Sequence, residues 1–170
     1  MFTSLKFRIS PTIVSLLLAM FLSLHVNAQP TAAVFNRKAY YAAFTDNSIQ
    51  PIEQQLNKIT QSKLEEKDAF EGALMMKKAE LIKGASQKLK EFNAGRKKLE
   101  NVISLHPDNV EFRFLRLMIQ EKAPKMLKYD KQLEEDRRYI VQHFRNTSKI
   151  VQQAIVDYSK SSKLLSPQDF

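Results

Sequence analysis

Beyond residue 30 the apolar residues recur every three or four positions, and strand-like alternation does not stand out. That period is the signature of amphipathic helices. A first helix is expected from about Ala33 to Phe44, with Val34, Lys38, Tyr41 and Phe44 near one stripe and Tyr40 beside it. Of the adjacent tyrosines, one should face outward. A second helix, about Ser48 to Ile59, places Ile49, Ile52, Leu56 and Ile59 at helical spacing, and Pro51 is tolerated in its first turn. Ser62-Lys63-Leu64-Glu65 reads as a capping box that opens a third helix, whose face carries Phe70, Ala73, Leu74, Met76 and Leu81 up to a stop at Gly84.

The fourth helix is expected from about Ala85 to Leu105, with Leu89, Phe92, Gly95, Leu99, Val102 and Ile103 as its buried stripe. Lys88, Lys90, Lys97 and Lys98 lie mostly off that stripe, in solvent. His106-Pro107-Asp108-Asn109 is a turn, with Asp108 as the next cap and Glu111 three residues on. The fifth helix, about Asn109 to Glu121, is apolar nearly all round, so it belongs at the centre of a core. Ala123-Pro124 ends it. A short irregular piece, Lys125 to Tyr129, leads to Asp130 as a cap for a sixth helix bearing Leu133, Ile140, Val141 and Phe144. Thr147 or Ser148 caps a seventh, with Ile150, Val151, Ala154, Ile155 and Tyr158. The segment 161–170 is expected to be a loose tail, with Leu164 and Leu165 able to pack. The fold class is therefore all-α, a bundle of six or seven helices.

The first residues follow a different pattern. Lys6 and Arg8 precede an apolar run from Ile13 to Leu24, and Val26-Asn27-Ala28 follows with small or modest side chains. This reads as a cleavable secretory signal over 1–28, too short in its apolar part to span a bilayer comfortably. The remainder, 29–170, has 142 residues and suits one helical domain. The localisation that follows is export, to the periplasm or the cell exterior.

Composition narrows the chemistry. The chain contains no cysteine, so disulfide staples, thiolate metal sites and cysteine nucleophiles are excluded. Its 27 basic and 18 acidic residues give a net charge of +9, of which Lys6 and Arg8 account for two, leaving +7 on the rest. Export makes nucleic acid an improbable partner for that charge. Anionic lipid headgroups, acidic polysaccharide or an acidic protein remain as candidates, beside a basic face that only keeps the protein soluble.

The spacing Gly95-x-x-x-Leu99-x-x-Val102-Ile103-x-x-x-Pro107-x-Asn109 resembles the second helix of a tetratricopeptide repeat, with Gly72 as the small residue of the first. The resemblance implies one repeat-like helix pair. Gly72 and Gly95 lie 23 positions apart, about twice the usual spacing, and Arg113, Arg116 and Asp136 fall where the repeat has apolar or small residues. From about Tyr40 onward the chain also resembles a group of small exported helical proteins of Bacteroidetes. The pattern is Asp108-Asn109-Val110-Glu111-Phe112-Arg113-Phe114-Leu115-Arg116, then Gln120, Glu135-Asp136 and Asp157-Tyr158. That group implies an exported helical fold and carries no assigned activity.

Candidate catalytic groups are sparse. His106 and His143 have no second ligand at metal-binding spacing, and neither H-E-x-x-H, G-x-S-x-G nor a glycine-rich phosphate loop occurs. No cofactor is expected. The carboxylates of Glu134-Glu135-Asp136 are adjacent on a helix and diverge. Glu111, Arg113 and Arg116 interrupt the most apolar helix, and a buried arginine needs a partner. Together with Glu135 and Asp136 they form the candidate site: an internal ion-pair network, a face simply exposed to solvent, or a surface for an unknown partner. The leading expectation is a non-enzymatic binding or adaptor module for a protein partner. The alternative is a basic module docking on the anionic envelope surface, and a hydrolase is third.

Overall fold

A computed structural model of the chain describes residues 35–170; the chain divides between Thr31 and Ala32, and the described residues all lie in the second unit. The signal, its cleavage site after Ala28 and the expected helix start at Ala33 fall outside the described residues. Within them the fold is all-helical. The α-helices are α1 (Arg37–Thr45), α2 (Ile49–Gln61), α3 (Lys67–Leu81), α4 (Ala85–Leu105), α5 (Val110–Lys122), α6 (Leu133–His143) and α7 (Lys149–Ser159). Short 3-10 turns occupy Lys125–Leu127, Phe144–Asn146 and Pro167–Asp169. No described helix is long and apolar enough to cross a membrane.

Helix α5 is the centre of the core. Every residue from Val110 to Gln120 is buried, as expected of a helix apolar on nearly all sides. Asn109 caps it, its side chain accepting from the Phe112 amide at 3.2 Å, where Asp108 was the expected cap. Around α5 lies an aromatic cluster in which Phe70 meets Phe112 edge-on at 5.8 Å and Phe114 lies 5.7 Å from Tyr158. Both Tyr40 and Tyr41 are buried, which corrects the expectation that one faces solvent. Their hydroxyls reach internal acceptors, the Phe70 carbonyl and Glu111, each at 3.0 Å, and this is what makes two adjacent buried tyrosines tolerable.

Helices α3 and α4 form the most closely packed pair. A Cβ added to Gly72 would stand 2.5 Å from the Gly95 carbonyl oxygen, and one added to Gly95 would stand 2.5 Å from the Gly72 oxygen. Only two glycines let the backbones approach this closely. Lys98 is not free in solvent; it pairs across this interface with Asp68 at 2.8 Å and Glu71 at 3.3 Å.

Other boundaries differ from expectation. Ser62 does not open α3; it ends α2, donating its hydroxyl to the Ile59 carbonyl at 2.7 Å, and α3 begins at Lys67 without a side-chain cap. Asp130 does not cap α6 either: Gln132 precedes that helix and no side chain caps it. Ser148 caps α7. The 161–170 segment is not loose. Glu121 accepts from Tyr158 Oη and Ser162 Oγ, both at 2.7 Å, and Arg137 donates to the Leu164 carbonyl at 2.6 Å. Leu165 is buried and the Phe170 ring lies 4.6 Å from Phe144.

Candidate functional site

The five candidate residues separate into two groups. Arg113 and Arg116, one turn apart on α5, converge on Asp136 of α6, which is fully buried. Arg116 grips it with two parallel bonds, Nε to Oδ2 at 2.7 Å and Nη2 to Oδ1 at 2.8 Å. This planar fork is the strong form of the arginine–carboxylate pair. Arg113 Nη1 donates to Asp136 Oδ1 and to Glu135 Oε1, both at 2.9 Å, while its Nε reaches the Pro107 carbonyl at 2.7 Å. Its guanidinium lies over the Tyr139 ring, 4.3 Å from the centroid.

The chain of contacts runs on through residues that sequence reasoning did not select. Arg116 Nη1 donates to Glu100 of α4 at 2.9 Å, and Tyr129 donates to the other Glu100 oxygen at 2.6 Å. Arg96 covers the Tyr129 ring at 4.6 Å. Burial works against the charge on Arg116, but the hydrogen bonds and charges of Asp136 and Glu100 outweigh it, so its pKa is raised. The same burial, with Glu100 beside it, pushes the Tyr129 hydroxyl well up. Contacts so complete make this network a tie between α4, α5 and α6.

Glu111 stands apart from it. Arg37 Nε donates to both its oxygens at 3.0 and 3.1 Å, and Tyr41 donates to Oε1 at 3.0 Å. Burial raises the Glu111 pKa, and the charge and hydrogen bonds of Arg37 only partly offset that. Arg37 lies 74 positions away, so no local spacing could have signalled the pair. Glu111 also edges a polar cleft of about 380 Å³ with Asp108, Tyr139 and His143. There the Tyr139 hydroxyl donates to the Asp108 carbonyl at 3.2 Å and the His143 ring stacks on Tyr139 at 4.1 Å. Glu111 and Tyr139 are thus engaged within the protein. Among the described residues no group of three or more histidine, aspartate or glutamate side chains could hold a metal ion.

Beside the buried Gln120 Oε1, which has no hydrogen-bond partner among the described residues, the feature that remains unsatisfied is apolar. Helix α4 has 21 residues and α5 has 13, so at 1.5 Å per residue α4 is longer by about 12 Å. Its first six residues, Ala85 to Lys90, are all exposed. This overhang forms a groove of about 790 Å³ together with the end of α3 (Met76, Ala79, Glu80), the end of α5 (Ile119, Lys122) and the segment from Ala123 to Leu127. Leu89, expected in the buried stripe, is instead 48 % exposed, and Met126 is 85 % exposed. Leu89 keeps helical register with the core positions, but no neighbouring helix reaches far enough to cover it. A concave apolar site of this volume lies within the roughly 300–1,000 Å³ of small-ligand pockets. Comparison with protein-family models, with curated proteins and with solved structures finds no match to this chain.

Proposed function

We propose that the chain is an exported, non-enzymatic helical module that binds a ligand or partner in the groove between α3, α4, α5 and the Ala123–Leu127 segment. The observation that carries this reading is the pair Leu89 and Met126, large apolar side chains left uncovered inside one concavity. Single exposed apolar residues such as Leu105 and Ile150 are ordinary; two facing one depression are not. Met126 gives the lining an adaptable side chain, of the kind that accepts more than one apolar shape. A non-catalytic role is supported by the carboxylates in view: Asp136 is held by two arginines and Glu111 by Arg37 and Tyr41. The first reading of the occupant is an apolar segment of a protein partner. The second, an anionic ligand of the envelope, is favoured by Lys88 and Lys122 at the groove.

Export rests on the pattern of the first 28 residues, and mass spectrometry of the secreted protein should find Gln29 or its pyroglutamate first. For the groove, a photoreactive phenylalanine analogue placed at Leu89 should crosslink to a ligand or partner in the native envelope. The same group at Ile150 should not. Equal labelling from both positions would overturn the groove as the site.

A further inference from the structure

From the charge around the groove we infer that its occupant is a single-chain anionic amphiphile, such as a free long-chain fatty acid. The alkyl chain lies along the apolar wall, and the carboxylate sits at the amino end of α4. The inference rests on the groove being the binding site; it takes the second reading of the occupant, an anionic ligand, in place of the protein segment and names what fills the groove.

The wall is built for a hydrocarbon: Met76, Leu89, Phe92, Ile119 and Leu127 present no hydrogen-bonding side chain. An extended peptide laid there would leave its backbone amides and carbonyls unpaired, which is costly. Charged groups in the lining are Lys88, Lys122 and Glu80. The Glu80 carboxylate is already bound by Lys77 Nζ at 2.7 Å, so the acid is neutralised in place. Lys88 donates one hydrogen to the Glu80 carbonyl oxygen at 2.9 Å, and an ammonium has two more to give. Lys88 stands in the first turn of α4, and Ala85, the first residue of that helix, lines the same groove. The residue before it is Gly84, which has no side chain to cap the turn. The unsatisfied amides and positive dipole of a 21-residue helix therefore add to the two lysines. The site pairs an apolar trough with a positive rim, the complement of a fatty acid.

A free molecule is favoured over a bilayer because Leu89, Phe92, Ile119 and Leu127 line a depression, with Met126 alone, 85 % exposed, projecting from its edge. A membrane-docking face would project them outward into the headgroup boundary. The volume of about 790 Å³ is that of a site for one ligand.

The test uses the purified protein and palmitate below its micellar concentration, titrated calorimetrically. Hexadecanol, hexadecyltrimethylammonium, phosphatidylglycerol vesicles and an acidic amphipathic helical peptide serve as comparison ligands. Saturable one-to-one binding of palmitate is expected, at least about tenfold tighter than the trimethylammonium and weakened by salt. Leu89→Glu and Met126→Glu change exposed residues and should keep the helical circular dichroism and urea midpoint while lowering palmitate affinity at least about tenfold. The pair Lys88→Met and Lys122→Met should weaken palmitate binding and leave hexadecanol binding unchanged.

Three results would overturn the assignment. One is palmitate binding that Leu89→Glu does not alter. Another is equal affinity for the acid and the ammonium. The third is absence of palmitate binding when the vesicles or the peptide bind instead. If palmitate fails while Leu89 crosslinks selectively in the envelope, the groove stands and the amphiphile falls. If neither occurs, both fall.

Discussion

Replacing Asp136 with alanine removes the acceptor of three hydrogen bonds from two arginines, at 2.7, 2.8 and 2.9 Å, from a site with no solvent access. Arg116, with 7 % of its side chain exposed, would keep only Glu100. Breaking a buried pair in this way costs about 3–5 kcal/mol, because a charge is left behind without compensation. Arg116→Ala should cost less, since Asp136 keeps Arg113 at 2.9 Å. The double variant removes both ends of the two-bond fork, so the coupling between the sites should be about 1.5–3 kcal/mol. Equilibrium urea unfolding measures it, provided the slope of stability against denaturant stays constant across the four proteins. The Glu135 side chain is 60 % exposed and touches Arg113, not Arg116. A second cycle, Arg116→Ala with Glu135→Ala, should therefore give coupling below about 0.5 kcal/mol. Coupling near zero with Asp136, or equal coupling with both acids, would refute the geometry.

Three further outcomes can be checked on the same protein. Leu115 is fully buried in α5, and Leu115→Ala should lose about 2–5 kcal/mol of stability in urea unfolding; a loss below about 1 kcal/mol would place α5 at the surface. Gly95→Ala sets a methyl 2.5 Å from the Gly72 carbonyl oxygen and 2.9 Å from Met75 Cβ, forcing α3 and α4 apart. It should cost about 1–3 kcal/mol in thermal unfolding, and an unchanged midpoint would deny the close crossing. Burial raises the Glu111 pKa, so between the ordinary glutamate value of about 4.3 and that raised value the folded chain holds a proton the unfolded chain has released. The stability this proton contributes is complete below the window and falls as pH rises through it. Glu111→Gln removes the decline, and a wild-type and variant pair with the same slope of stability against pH there would contradict it.

The helical period, the central position of α5 and the need for partners at Arg113 and Arg116 were legible in the sequence, because each follows from residues within a few positions of one another. An apolar repeat of three to four specifies a helix and its inner face whatever it packs against. Two arginines in an apolar helix demand carboxylates, and the first turn of the following helix offered Glu135 and Asp136 among its acids. Local reading failed where the answer lay with a distant segment. Ser62 is the exception, a local miss: it fits a helix start by spacing, yet its hydroxyl serves the Ile59 carbonyl three residues back and closes α2. Glu111 looked like part of the arginine cluster, and its partner came from the far end of the domain, Arg37. Tyr40 and Tyr41 could both go inside only because a carbonyl of α3 and a carboxylate of α5 were waiting for their hydroxyls. The tail is ordered because Glu121, the penultimate residue of α5, still had acceptor capacity to hold it. The groove depends on tertiary structure most of all. Leu89 has the same register and chemistry as its buried neighbours in the stripe. It lies open because α4 outruns α5: both lengths were expected from the sequence, but which turns of α4 a neighbour covers is decided only when the helices pack.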